Sequence, residues 1–377
     1  MNPPARIVSM DGAPLSVPLR EPFVIATGRM DVTRAVLLRV TVEADDGRQA
    51  TGYGEAAALP PVTHEDQPDL LRAAAAGAME LVGTRLETFA ECEQAVSAAV
   101  PGSVVARAGI ESAVLDAWAR LAGVPLARAL AAEEALAAPG SPLPVLTTDI
   151  TLPIAEPDAM VALAVQYAAR GFSAFKVKVG RDWRADRTAL EAVARAVPQA
   201  RFLLDANGGF SARDALSLLD AVLASGLTVD CYEQPCARDD LAGMATVTAQ
   251  SPVAVVADES FRDEADLSAL LQARAAHGVN LKLVKLGGPW RALSLARKAR
   301  AAGLRLMAGA MVETRVGLLA MAHVVAALGG GDWVDLDTAF LLADDPFEGG
   351  WTISGAEIRL TGEAGRGVRP RASDASH

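Results

Sequence analysis

The chain has few cysteines, no surplus of positive charge and no apolar run long enough for a membrane. Its three cysteines, Cys92, Cys231 and Cys236, form an odd set without metal-ligand spacing. They offer no disulfide framework, and no secretory signal is recognised, so a reduced cytoplasm is the expected compartment. Acids outnumber bases 46 to 35, giving a net charge of -11 and a pI near 5.0. Neither nucleic acid nor an anionic membrane is therefore expected as a partner. The Ala-rich stretches Leu71 to Val82 and Ala127 to Ala138 are too short or too interrupted to span a bilayer. Core material, by contrast, is abundant. Of 377 residues 51% are hydrophobic, enough for a large barrel plus a smaller domain.

Ile7 to Met10, Leu19 to Ala26 and Ala35 to Glu43 read as strands, with Arg34 and Asp45-Asp46-Gly47 as breaks. Between Leu70 and Leu130 the apolar spacing turns helical, and Ala137 to Pro144 forms a loose boundary. From Val145 onward short apolar runs alternate with amphipathic helices. The runs are Val145–Thr151, Ala174–Val179, Arg201–Ala206, Val229–Glu233, Ala254–Asp258, Val279–Lys285, Leu304–Ala308 and Trp333–Asp337. Eight strand–helix units predict a (β/α) barrel, because parallel strands need helical crossovers and eight close on themselves. The expected division is a first α+β domain in 1–135, the barrel in 145–340, and a segment 341–377 that returns to the first domain. That last segment holds a small hairpin, Trp351–Ile353 with Glu357–Leu360, and a frayed tail from Arg369.

Charges interrupt these apolar runs at regular intervals. Lys178, Asp205, Glu233, Asp258 and Lys282 follow one another at spacings of 27, 28, 25 and 24 residues, about one strand, one helix and two loops each. Each falls at or near the C-terminal end of its strand, where barrel enzymes place their chemistry. In Phe175-Lys176-Val177-Lys178-Val179 both lysines share one face, and the apolar residues should meet the helices, so both lysines point inward. Lys282 has the inward parity of its own strand, whereas Lys285 has the other and ranks second. Asp335 and Asp337 share a face of the last strand.

Asp205, Glu233 and Asp258 would repel one another unless a cation sat among them. Without His or Cys nearby they make a hard-oxygen set that suits Mg²⁺, with Mn²⁺ as a substitute. A metal on a substrate carboxylate stabilises the enediolate formed when the neighbouring carbon loses a proton. A lysine base must be neutral, and Lys176 beside Lys178 with a cation nearby is expected to lower its pKa. Lysines on opposite sides of the barrel, strands two and six, address opposite faces of one carbon.

These residues carry a resemblance. Lys176-Val177-Lys178, Asp205-Ala206-Asn207, Glu233-Gln234-Pro235, Asp258-Glu259-Ser260 and Leu281-Lys282 followed by Gly287-Gly288 resemble the muconate lactonizing enzyme subgroup of the enolase superfamily. The resemblance implies a modified barrel with an N-terminal α+β capping domain, Mg²⁺, Lys178 and Lys282 as the acid/base pair, and a homo-oligomer. A mandelate racemase would have a late catalytic His; His277 and His323 fall on segments read as helical. Asp335-Leu336-Asp337 resembles the Asp-x-Asp signature of dipeptide epimerases, whose implied role is to bind the α-ammonium of the N-terminal residue. Glu313 matches a subgroup Glu and is expected to line the same site. Arg29 stands next to Gly28, where members acting on Ala-Glu carry an Arg, so the side chain recognised is left open. Asn207 and Glu259 are expected to orient the ligands.

The implied function is a dipeptide epimerase acting by two-base proton transfer on a small carboxylate substrate. The alternatives are a muconate-type cycloisomerase, an o-succinylbenzoate synthase or an N-acylamino acid racemase with the same metal and lysines. A non-catalytic metal-binding barrel is the reading from another class. Gly287-Gly288 alone is a weak sign of phosphate and suits a tight turn. Cys231 shares parity with Glu233 and is expected low in the barrel interior, and Gln234 is read as turn geometry.

Overall fold

The computed structural model describes residues 3–25, 28–60, 62–131 and 142–372. The first layer is an antiparallel sheet in which Arg34–Ala44 lies between Ala5–Leu15 and Gln49–Ala58, with the short strand Arg85–Leu86 on the far edge. Arg34 therefore opens a strand where the sequence suggested a break. Its guanidinium reaches back to Asp66, the residue that caps helix Gln67–Leu81. Asp45-Asp46-Gly47 does form the expected turn, with Gly47 at φ +82°.

Gln49–Ala58 is a strand that the apolar pattern does not announce, since it is built from Gly and Ala. The reason is helix Val104–Leu121, which lies directly on it. A Cβ at Gly54 would come within 1.9 Å of the Gly109 carbonyl oxygen, so only a bare backbone lets the helix sit that close.

The second layer is a barrel of eight parallel strands, each hydrogen-bonded to the next in chain order. They are Ile150–Leu152, Ala174–Lys178, Arg201–Asp205, Thr228–Glu233, Ala254–Ala257, Gly278–Leu281, Arg305–Ala308 and Trp333–Val334. Strand one meets strand eight through Asp149 N–H donating to Val334 C=O at 2.9 Å and Leu336 N–H donating to Thr148 Oγ1 at 2.9 Å. Inside, Leu203, Cys231, Val256, Met307 and Trp333 fill the lower barrel with apolar side chains, which is where Cys231 was expected.

Helices follow seven strands. After the eighth comes a single 3-10 turn, Thr338–Phe340, in place of the eighth helix of a regular barrel. The chain is then pulled to the first layer: Arg20 N–H donates to Leu341 C=O and Ala343 N–H to Pro18 C=O, both at 2.8 Å.

Four more expected elements differ. The run Val145–Thr151 splits, and Val145–Thr147 pairs with Glu357–Leu360. The terminal hairpin Trp351–Ser354 with Glu357–Leu360 thus joins the barrel's first segment, not the first layer. Only its flanks return, with Gly365 C=O accepting from Leu126 N–H at 2.7 Å. The run Val279–Lys285 stops at Leu281, and Leu283–Leu286 forms one helical turn that ends at Gly287. Arg369 lies in the short strand Val368–Pro370, so the tail is ordered further than expected, while 373–377 and most of the 137–144 boundary fall outside the described residues.

Two buried glutamates of the first layer fasten it to the barrel mouth. Glu55 accepts from Thr314 N–H at 3.0 Å and Gly317 N–H at 3.1 Å, at the start of helix Arg315–Ala327. Glu111 accepts from Trp290 N–H at 2.6 Å, at the start of helix Pro289–Ala301. The second helix follows strand six, which leads into Lys282, and a carboxylate at either helix start meets unpaired N–H groups and the positive end of the helix dipole. Gly287-Gly288 accordingly holds no phosphate cradle: the Glu111 carboxyl stands 2.5 Å from where a Gly288 Cβ would be.

Candidate active site

The layer of side chains above the apolar barrel floor is charged. Lys176, on strand two and 2% exposed, lies 2.7 Å from Asp335 Oδ2, 2.7 Å from Glu233 Oε2 and 3.1 Å from Asp205 Oδ2. Lys178 Nζ donates to Asp205 Oδ2 at 2.5 Å, and Lys282 Nζ donates to Asp258 Oδ2 at 2.8 Å. Lys285 reaches the other Asp258 oxygen. Because strands two and six lie across the closed sheet from each other, Lys178 and Lys282 approach the mouth from opposite sides.

Neutral donors orient the acids. Asn207 N–H donates to Asp205 Oδ1 at 3.0 Å, and the Asn207 amide donates to Glu259 Oε1 at 3.1 Å. The Asn280 amide donates to Glu233 Oε1 at 2.6 Å. Gln234, at φ +35°, accepts from Asp258 N–H and donates to Ser260 Oγ at 2.8 Å, so it ties the ends of strands four and five together. Reading Gln234 as turn geometry missed this staple, and Asn280 was missed although it shares the inward parity of Lys282.

A cavity of about 640 Å³ opens above these groups, a size that suits a small ligand. Lys176, Lys178, Lys282, Asp258, Asp335 and Asp337 are among its floor and walls. Leu59, Val62 and Val105 of the first layer, with Met311 and Val312 after strand seven, give it an apolar side.

Two expected members fall elsewhere. Arg29 is exposed and paired with Asp31 at 2.8 Å; in the hairpin it stands opposite Val24, and it does not line the cavity. Glu313 is buried behind the wall formed by Met311 and Val312, its Oε1 accepting from Met311 N–H at 2.9 Å. Burial and the Glu55 charge push it up to about 8. His277 precedes strand six at the floor end of the barrel, not on a helix, and its Nδ1 accepts from Val255 N–H. His323 is on a buried helix and accepts from Ala127 N–H.

Acids outnumber bases in this layer. Seven buried or half-buried carboxylates (Asp149, Asp205, Glu233, Asp258, Glu259, Asp335 and Asp337) face four ammonium groups, Lys176, Lys178, Lys282 and Lys285. Burial pushes Glu233 up to about 7, with Asp205 adding to it and Lys176 opposing. Burial would raise Asp205 and Asp258 too, but the lysines beside them outweigh it and hold both below the usual carboxylate range. For Lys176 and Lys282 burial favours the neutral form, yet the acids win and hold both above the ordinary lysine value. An all-oxygen acid set with surplus negative charge fits a divalent hard cation.

Residues 11–130 match the N-terminal domain of the mandelate racemase/muconate lactonizing enzyme family, and residues 159–375 match its enolase C-terminal domain-like partner. The chain belongs to this family of the enolase superfamily. It is 36% identical to an L-Ala-D/L-amino acid epimerase of Populus trichocarpa over 94% of this chain and 82% of that one. It is 37% identical to a hydrophobic dipeptide epimerase of Citrifermentans bemidjiense over 87% of this chain and 88% of that one. Among solved structures it resembles a dipeptide epimerase of Enterococcus faecalis complexed with Mg and L-Leu-L-Tyr. That likeness has a TM-score of 0.87 and 30% identity over 96% of this chain and 99% of that one.

Proposed function

We propose that this family member is a magnesium-dependent dipeptide epimerase that inverts the α-carbon of the second residue. The observation that carries it is the pair Asp335 and Asp337 on the wall of a cavity whose floor holds two opposed lysines. Negative charge at one end complements an ammonium, and at the other Asp205, Glu233 and Asp258 would hold a metal that complements a carboxylate. A free dipeptide has both. Acylated amino acids and dicarboxylates lack the ammonium, so the racemase, synthase and cycloisomerase alternatives leave Asp337 without a counter-charge and Asp335 with only the Lys176 ammonium that it shares with Glu233 and Asp205.

In this reading Asp205, Glu233 and Asp258 hold Mg²⁺, which when bound supplies positive charge beside the substrate carboxylate. Asn207, Asn280 and Gln234 fix the orientation of those acids. One of Lys178 and Lys282 takes the α-proton and the other returns a proton to the opposite face, while Lys176 supports the acids between them. The apolar side formed by Leu59, Val62, Val105, Met311 and Val312 suits hydrophobic side chains on the substrate. The same reading keeps the homo-oligomer and the cytoplasmic setting, the former checked by light scattering.

The test is to strip the enzyme with a chelator, restore Mg²⁺ and resolve diastereomers formed from a panel of L,L-dipeptides. L,D products that appear only with metal are expected. Activity on N-acylamino acids but on no dipeptide would overturn the proposal.

A further inference from the structure

Lys282 passes a gap in the barrel wall that one residue leaves open. At the end of strand six Asn280 and Lys282 share the inward face, and Gly309 directly follows strand seven. Leu281 stands opposite Ala308, and Gly309 N–H donates to Leu281 C=O at 2.9 Å, so the glycine is pinned beside Lys282. Its φ lies outside the left-handed region, so the backbone there does not call for glycine. Space does. A Cβ on Gly309 would stand 2.6 Å from Asn280 Oδ1, 2.9 Å from Asn280 Nδ2 and 3.0 Å from Lys282 Cε. The amide and the lysine stem thus share the volume that a side chain at 309 would take. Asn280 Nδ2 is fixed on Glu233 Oε1 at 2.6 Å, whereas its buried Oδ1 meets no hydrogen-bond donor. Lys282 is 6% exposed, and its ammonium donates to Asp258 Oδ2 at 2.8 Å.

We infer that Gly309 and Asn280 form a slot that aims Lys282 at its face of the substrate carbon, and so act as positioning residues for one of the two proton transfers. This rests on the two-lysine epimerase reading and specifies how one lysine of the pair is held. A lysine stem is flexible, yet proton transfer needs Nζ within hydrogen-bond reach of the proton that it takes. The slot restricts the stem one atom before the nitrogen. The orphan Asn280 oxygen is the negative end of the amide dipole and lies at the same spot as the carbon that bears the ammonium. That attraction keeps the stem against the wall formed by strand seven. The three atoms nearest a methyl at 309 all belong to side chains, so the methyl displaces Lys282 and the amide while the strands stay paired. Lys178 stands across the barrel on strand two, away from the slot. A misplacement of about 1 Å at one lysine costs about 10²-fold in its own transfer and spares the proton removal that the other performs.

The test follows α-hydrogen loss in D₂O by proton NMR, separately from an L,L-dipeptide and from its L,D epimer, at saturating Mg²⁺. Lys282→Ala and Lys178→Ala first assign the epimer that each lysine deprotonates. Gly309→Ala and Asn280→Ala are then expected to slow the Lys282 epimer about ten- to 100-fold more than the other, shifting the ratio in the sense of Lys282→Ala. Mg²⁺ affinity, read by calorimetry, separates this from the bond between Asn280 and Glu233, whose loss weakens metal binding and slows both epimers alike. An unchanged ratio, an equal loss on both epimers, or a ratio shifted in the sense of Lys178→Ala would overturn the inference. Circular dichroism melting is the folding control, and if one of the two variants does not fold the other decides the matter. A wild type that exchanges neither epimer, or lysine variants that slow both epimers alike, would instead bring down the functional proposal on which this one stands.

Discussion

Replacing Asp337 by Asn isolates the charge that the proposed ammonium would meet. The substitution keeps the shape, and the new amide oxygen can still accept from Thr151 N–H, which Asp337 Oδ2 now binds at 2.6 Å. Strand one stays tied to strand eight, since the Asp149–Val334 and Leu336–Thr148 bonds are untouched. What changes is one negative charge in a pocket buried from water, where Asp337 is 1% exposed. A hydrogen bond to a charged group contributes about 1.5–3 kcal/mol. That translates to a loss of about 10- to 150-fold in kcat/KM for a dipeptide. Because the ammonium is remote from the reacting carbon, the loss should fall mainly on KM. Initial rates on L,L-dipeptides measure it, with circular dichroism melting as the folding control. An Asn variant of undiminished efficiency would refute the reasoning, as would one that lost kcat at unchanged KM.

Lys178→Ala and Lys282→Ala should each lower kcat by about 10²–10⁴, the range of a positioned acid or base, as read by chiral chromatography of products. Each single variant should also lose exchange from one epimer more than from the other. Glu55, pushed up to about 7 by burial, contributes stability that is present below the unfolded carboxylate value near 4.5 and lost as pH rises through about 7. Urea titrations from pH 4.5 to 8 should therefore show a fall of about 3 kcal/mol in wild type that Glu55→Gln removes, whatever the other acids contribute in common. Gly288→Ala places a Cβ 2.5 Å from the Glu111 carboxyl at a φ of +140°, and should cost about 1–3 kcal/mol in the same assay. Full stability in that variant would remove Glu111 from the clamp.

The barrel was legible because each strand is a short buried run and the charged residues mark strand ends at one unit's spacing. Parity placed Lys176, Lys178 and Lys282 inside, and the structure brings all three to the predicted acids. What the sequence hid depends on partners far along the chain. Asp149 looks like the tail of a strand until strand eight, nearly two hundred residues later, closes beside it. Glu55 and Glu111 sit in ordinary strand and helix patterns, and their work appears only when barrel helices present bare N–H groups to them. Arg29 was placed by its nearness in sequence to a motif, but hairpin register against Val24 decides where its side chain goes. Leu283–Leu286 has a strand's composition, yet it turns helical because Lys282 ends the ladder and Gly287 at φ +93° ends the turn.

The most direct measurement is proton NMR of an L,L-dipeptide with the Mg²⁺-loaded enzyme in D₂O. The account predicts loss of the α-hydrogen signal of the second residue alone, with an L,D diastereomer that carries deuterium at that carbon. Exchange at the first residue, or a dipeptide left untouched while an N-acylamino acid exchanges, would contradict it.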